Sequence, residues 1–124
     1  MPSGIDSNLM DISLVADREK VSQVLANFLA NAIKFTREGV ITIVCRREGD
    51  QAAVSVRDTG TGIDNDIMPR LFTKFATKSD RGTGLGLYIS RNIIEEHGGK
   101  IWAKNNEGKG ATFAFKLPIV SDQT

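Results

Sequence analysis

A chain of 124 residues, 40% hydrophobic and with 16 basic against 15 acidic side chains, has the size and apolar content of one domain around one core. A net charge of +1 excludes a chain whose overall charge is built to hold nucleic acid or an anionic membrane. The single cysteine, Cys45, excludes an internal disulfide and fits a reducing, cytoplasmic setting.

No run approaches the ~18 apolar residues of a membrane span, and there is no signal peptide. The chain reads as soluble, with no membrane contact of its own, which leaves open a membrane anchor in a longer parent protein. Residues 1–124 read as a single domain with its ordered part at about 11–119.

Taken in order, residues 1–10 are small and polar without periodicity and predict a frayed start. Residues 12–16 predict a short strand, and Asp17 the N-cap of a helix over 18–35. Val21, Val24, Leu25, Phe28, Leu29 and Ala32 recur there at the spacing of one apolar stripe. Residues 40–47 and 52–58 predict two strands of a hairpin turning at Glu48-Gly49-Asp50. A loop through Gly62 leads to a short helix near 65–72, and the polar stretch 76–81 predicts a loop. A second long helix is predicted over 83–97, stopped by Gly98-Gly99. Strands at 100–105 and 111–117 close the chain, turning at Glu107-Gly108-Lys109-Gly110, and the tail from Ser121 reads as disordered. Strands grouped in hairpins with helices between them predict a two-layer α/β sandwich: a mixed, mostly antiparallel sheet with helices on one face.

Asn27, Asn31 and Lys34 fall at i, i+4 and i+7, on one side of the first helix and well over 90° from its apolar stripe. Mid-helix asparagines cost several tenths of a kcal/mol each relative to alanine. Their carbonyl oxygens are hard ligands suited to Mg²⁺, and a lysine one turn on can meet phosphate. A solvated polar face accounts for the same spacing. On the strand over 52–58, alternation places Asp58 on the apolar side with Val54 and Val56, where a carboxylate needs a partner or a ligand. It can accept from an exocyclic amine such as that of adenine, or it can cap the turn into Gly60. Gly82-Thr83-Gly84-Leu85-Gly86-Leu87 opens the second helix with unobstructed backbone N–H groups, an anion site in form. It is neither the dinucleotide fingerprint nor a P-loop.

The order of these features resembles the sequence boxes of the sensor histidine kinase catalytic and ATP-binding domain, in the gyrase/Hsp90/histidine kinase/MutL superfamily. Asn27-Phe-Leu-Ala-Asn31-Ala-Ile-Lys34-Phe-Thr36 is similar to its N box, and Asp58-Thr-Gly60-Thr-Gly62-Ile63 to its first glycine box. Leu71-Phe72-Thr-Lys-Phe75 is similar to its F box, and Gly82 to Leu87 to its second glycine box. Gly108-Lys-Gly110-Ala-Thr112-Phe113 is similar to its closing hairpin, so the resemblance spans 12–117.

The resemblance implies a Bergerat-type fold binding ATP and Mg²⁺. It implies Asn31 on the metal, Asn27 on metal-bound water or phosphate, Lys34 on phosphate, and Phe35 beside the ribose or base. Asp58 is implied to accept from the adenine amine, with Gly60, Gly62, Ile63 and Phe72 lining the nucleotide site and Thr112 near its adenine end. Gly82, Thr83, Gly84, Leu85, Gly86 and Leu87 are implied at the phosphates, and residues 76–81 as an ATP lid whose Lys78 meets the γ-phosphate. Asn27, Lys34 and Lys78 are the implied catalytic residues.

Relatives that hydrolyse ATP carry a glutamate at position 27, and asparagine has no basicity to activate water. The implied activity is therefore transfer of the γ-phosphoryl group to a histidine on a separate dimerisation domain, with a response regulator downstream. His97, the only histidine, stands in the last turn before Gly98-Gly99, where an imidazole suits the helix dipole, and nothing around it resembles an acceptor motif. The competing reading is a nucleotide-binding regulatory module, or a relative of the anti-sigma serine kinases, without histidine phosphotransfer.

Overall fold

The computed structural model of the chain describes residues 18–74 and 85–119. The expected strand over 12–16, the cap at Asp17 and the two chain ends lie outside the described residues. So do Phe75, the 76–81 loop with Lys78, and Gly82, Thr83 and Gly84.

Helix α1, Arg18–Phe35, has the bounds its apolar stripe predicts, and Val24, Phe28 and Ala32 are fully buried along it. Strands β1, Ile41–Glu48, and β2, Gln51–Asp58, form the first hairpin. Helix α2, Gly86–Glu96, precedes β3, Lys100–Asn105, and β4, Ala111–Pro118. The sheet order is β1-β2-β4-β3, and each of these pairings is antiparallel. The sheet is thus an open antiparallel one with both helices on it, an α/β sandwich of two layers.

The expected helix near 65–72 is instead a single 3-10 turn, Met68–Arg70. Pro69 has no N–H to give a longer helix, and Asp64 draws the local backbone into a turn by accepting from the Asp66, Ile67 and Met68 amides. The turn still fills the core, since Ile67 and Leu71 are buried.

Between the layers, the Phe28 ring lies 5.6 Å from Phe113 and 5.9 Å from Phe115, at the tilted angles aromatic rings prefer. These residues pin α1 to the central strand β4, and Ile93 and Ile94 do the same for α2. Among the described residues no helix is long and apolar enough to cross a membrane.

The other sheet face carries no helix from the described residues. Register places Arg46, Arg57, Lys100, Lys104 and Lys116 on it, around Trp102. Lys116 Nζ lies 5.7 Å from the Trp102 ring centroid and 2.7 Å from Glu48 Oε1. The hydrogen bond from Lys116 holds the Glu48 carboxyl below its ordinary value. A group whose pKa is lower folded than unfolded stabilises above its unfolded value and loses that contribution as pH falls through the folded one. Glu48→Gln is therefore expected to lower the melting midpoint slightly at neutral pH, and not at all once the acid is protonated. Thermal melts across the acid range would check this.

Candidate functional site

The polar side of α1 is a built arrangement. Asn27 Nδ2 donates to Gly86 O at 3.1 Å and to Ser90 Oγ at 3.0 Å, both in the first turns of α2. One turn along α1, Asn31 Nδ2 donates to the backbone oxygen of Asn27 at 2.9 Å. A backbone carbonyl can only accept, so both amide nitrogens are fixed toward the protein. Each Oδ1 is left without a hydrogen bond from the described residues. Two hard oxygens one helical turn apart are a donor set that fits a divalent cation carried largely by phosphate and water. Such a cation needs no cluster of acids or histidines, and the described residues contain none. Further along, Lys34 Nζ sits 5.2 Å from the centroid of the Phe35 ring, which is 36% exposed.

Asp58, only 1% exposed, ends β2 on the helix side of the sheet. Its Oδ1 accepts from the Gly60 amide at 2.9 Å and from the Ala111 amide at 3.2 Å. Oδ2 takes no hydrogen bond from the described residues. The turn-capping role, one of the two alternatives in the sequence, thus falls to Oδ1 and leaves the second oxygen of the carboxylate unengaged by the described residues.

The loop after Asp58 is held from two directions. The Thr61 amide donates to Phe35 O at 3.2 Å, and an added Cβ on Gly60 would stand 2.1 Å from that same oxygen. Only glycine lets the loop touch the end of α1 there. From the other side Asn105 grips the Ile63 backbone twice, Oδ1 accepting from its amide at 2.6 Å and Nδ2 donating to its oxygen at 3.0 Å. Asn106 Nδ2 donates to Asp58 O at 3.0 Å, while its Oδ1 accepts from Thr112 Oγ1. A cleft of about 240 Å³ opens between residues 60–62 and the β3–β4 turn, lined by Asn105, Asn106 and Lys109 among others. Asp58, 1% exposed, does not line it.

The structure therefore brings Asn27, Asn31, Lys34 and Phe35 onto one helix that runs from α2 to the Asp58 loop. Asn27 and Phe35 are about 12 Å apart along that helix. Ile63, Phe72 and Leu87 are partly buried against the core, and Leu85 stands at the N-cap of α2. Gly86 turns its carbonyl, and not open space, toward Asn27. Thr112 pairs with Arg57, on the opposite sheet face from the Asp58 side chain, and reaches that strand through Asn106. His97 Nδ1 meets Ile93 O at 2.7 Å, and its backbone amide caps the helix end. Ser90, Asn105 and Asn106 were not singled out by sequence. The only signal for Ser90 was a polar residue at an apolar-stripe position.

An open sheet with two helices on one face, asparagine oxygens and a lysine along one helix, and a half-engaged buried acid at a strand end define an ATP-binding α/β sandwich. Residues 16–121 match the model of the histidine kinase-, DNA gyrase B- and HSP90-like ATPases, and the chain belongs to that family as a histidine kinase catalytic domain. It is 44% identical over 114 residues to the sensor protein FixL of Bradyrhizobium diazoefficiens, which covers 88% of this chain and 22% of that protein. Full-length ShkA, solved in complex with AMPPNP, superposes with a TM-score of 0.80 at 31% identity, over 92% of this chain and 24% of that one. Histidine kinase ThkA, solved with the response regulator protein TrrA, gives a TM-score of 0.75 at 34% identity, over 94% and 34%. The chain thus spans under a quarter of FixL's length.

Proposed function

We propose that this domain binds Mg-ATP and passes the γ-phosphoryl group to a histidine on a separate dimerisation domain, with a response regulator as the next acceptor and the cytoplasm as its compartment. The observation that carries the reading is Asp58: one oxygen is tied to two backbone amides and the other is left to accept. An exocyclic amine fits that oxygen. Phe35 borders the base or ribose, and Lys34 meets phosphate.

Asn31 Oδ1 is the protein's ligand to magnesium. Both N–H bonds of Asn27 are spent on Gly86 O and Ser90 Oγ, so Asn27 has only an acceptor to offer. A phosphate oxygen cannot donate to it, which assigns Asn27 to the metal or to metal-bound water. Magnesium supplies neutralisation of the phosphate charge. The chain itself supplies positioning, and no basic group at position 27 to activate water. Lys78, Gly82, Thr83 and Gly84, outside the described residues, keep the phosphate roles that the family resemblance implies. The ShkA complex with an ATP analogue and the ThkA complex with a response regulator support this reading.

His97 Nδ1 donates to Ile93 O at the end of α2, which supports a structural role for this histidine beside an acceptor on another domain. Incubating this domain with γ-labelled ATP and the separately prepared dimerisation domain of its parent kinase should yield an acid-labile, base-stable phosphohistidine on the latter. This domain alone should take up no label. ATP binding without any phosphohistidine would instead favour a regulatory nucleotide-binding module.

A further inference from the structure

Ser90 is 0% exposed and occupies a position of α2 that turns toward the core with Ile93 and Ile94. A hydroxyl there needs its hydrogen bonds satisfied within the protein. Ser90 Oγ donates to Gly86 O at 2.8 Å, and accepts from Asn27 Nδ2 at 3.0 Å. The directions admit no alternative. Gly86 O can only accept, and an amide nitrogen can only donate, so the serine proton goes to one and its lone pair to the other. With the bond from Asn27 to Gly86 O at 3.1 Å, the three groups close a ring between the helices.

We infer that Ser90 is a positioning residue, holding the Asn27 carboxamide so that its oxygen alone remains to serve metal-bound water. The inference rests on the Mg-ATP reading above. Gly86 O by itself occupies one N–H of Asn27 and leaves the other able to pull the side chain away. Ser90 takes that second N–H. A rotated carboxamide would turn a donor toward the cation side, which magnesium and its waters cannot use.

Ser90→Ala tests this, because alanine is the better helix former and the fold has no reason to fail. ATP affinity is measured by calorimetry with Mg²⁺ and again with EDTA, for wild type and variant. Ser90→Ala is expected to weaken Mg-ATP binding roughly 5- to 10-fold, the loss of one orienting hydrogen bond, and metal-free ATP binding less than about 2-fold. An equal effect in both conditions, or none, would overturn the inference and leave Ser90 a packing residue. If wild type shows no gain from Mg²⁺, the Mg-ATP reading itself falls, and this inference with it. A second readout needs no variant: both side-chain amide protons of Asn27 should exchange slowly by NMR in the protein without nucleotide. Rapid exchange there would also overturn the assignment.

Discussion

Asp58→Asn is expected to weaken ATP binding by about 2–3 kcal/mol, roughly 30- to 150-fold, while leaving the nucleotide-free fold nearly unchanged. The amides of Gly60 and Ala111 can only donate, and both point at Oδ1. In the variant they hold the amide oxygen in that place. The new NH₂ group is then forced into the position of Oδ2, where it faces the donor of an exocyclic amine with a donor of its own. The change is one of polarity without a change of shape, so melting in the absence of nucleotide should shift by no more than about 1 kcal/mol of stability. Calorimetric titration with ATP, beside a melt without it, separates the two quantities. Unaltered affinity would remove Asp58 from the base.

Gly110→Ala is expected to be the most damaging glycine-to-alanine substitution among the described residues. A Cβ there would lie 2.0 Å from Asp58 O and 2.8 Å from Thr59 Cα, both backbone atoms, and the residue sits at a φ of +87°. Neither the clash nor the left-handed conformation can be relieved by a side-chain rotation. A loss above about 3 kcal/mol follows, a fall of more than ~10 °C in the melting midpoint. Gly108 supplies the control. It has a similar φ of +91° but nothing within 4 Å of an added Cβ. Gly108→Ala should cost only the left-handed penalty, about 1–2 kcal/mol. Equal costs for the two variants would mean that hairpin-to-strand contact is not what holds the Asp58 end in place.

Residue periodicity made the helix over 18–35 and the strands of both hairpins legible, because a buried stripe or an alternating strand writes itself into neighbouring positions. The turn at Met68–Arg70 was not legible as such. Its apolar residues keep a helical spacing, but Pro69 and the Asp64 turn decide the backbone. In the candidate site, residue type and spacing singled out Asn27, Asn31, Lys34 and Asp58, but a solvated helix face and a turn-capping acid account for the same residues, and only the order of the family's boxes separates the readings. Ser90, Asn105 and Asn106 escaped because their partners lie 63, 42 and 48 residues away in the chain. Nothing short of the assembled register brings those pairs together. Thr112 shows the same limit from the other side. Its place in the closing hairpin was readable, but the sheet face it occupies depends on its pairing with Arg57.

The bond from the Thr61 amide to Phe35 O joins the loop after Asp58 to the last residue of α1. An amide between two glycines in a surface loop would ordinarily exchange its proton with water freely. This one can do so only when the end of α1 opens, so its protection reports the integrity of a helix to which it does not belong. It makes Thr61 a single-residue gauge of whether the end of α1 and the loop after Asp58 open together or one at a time.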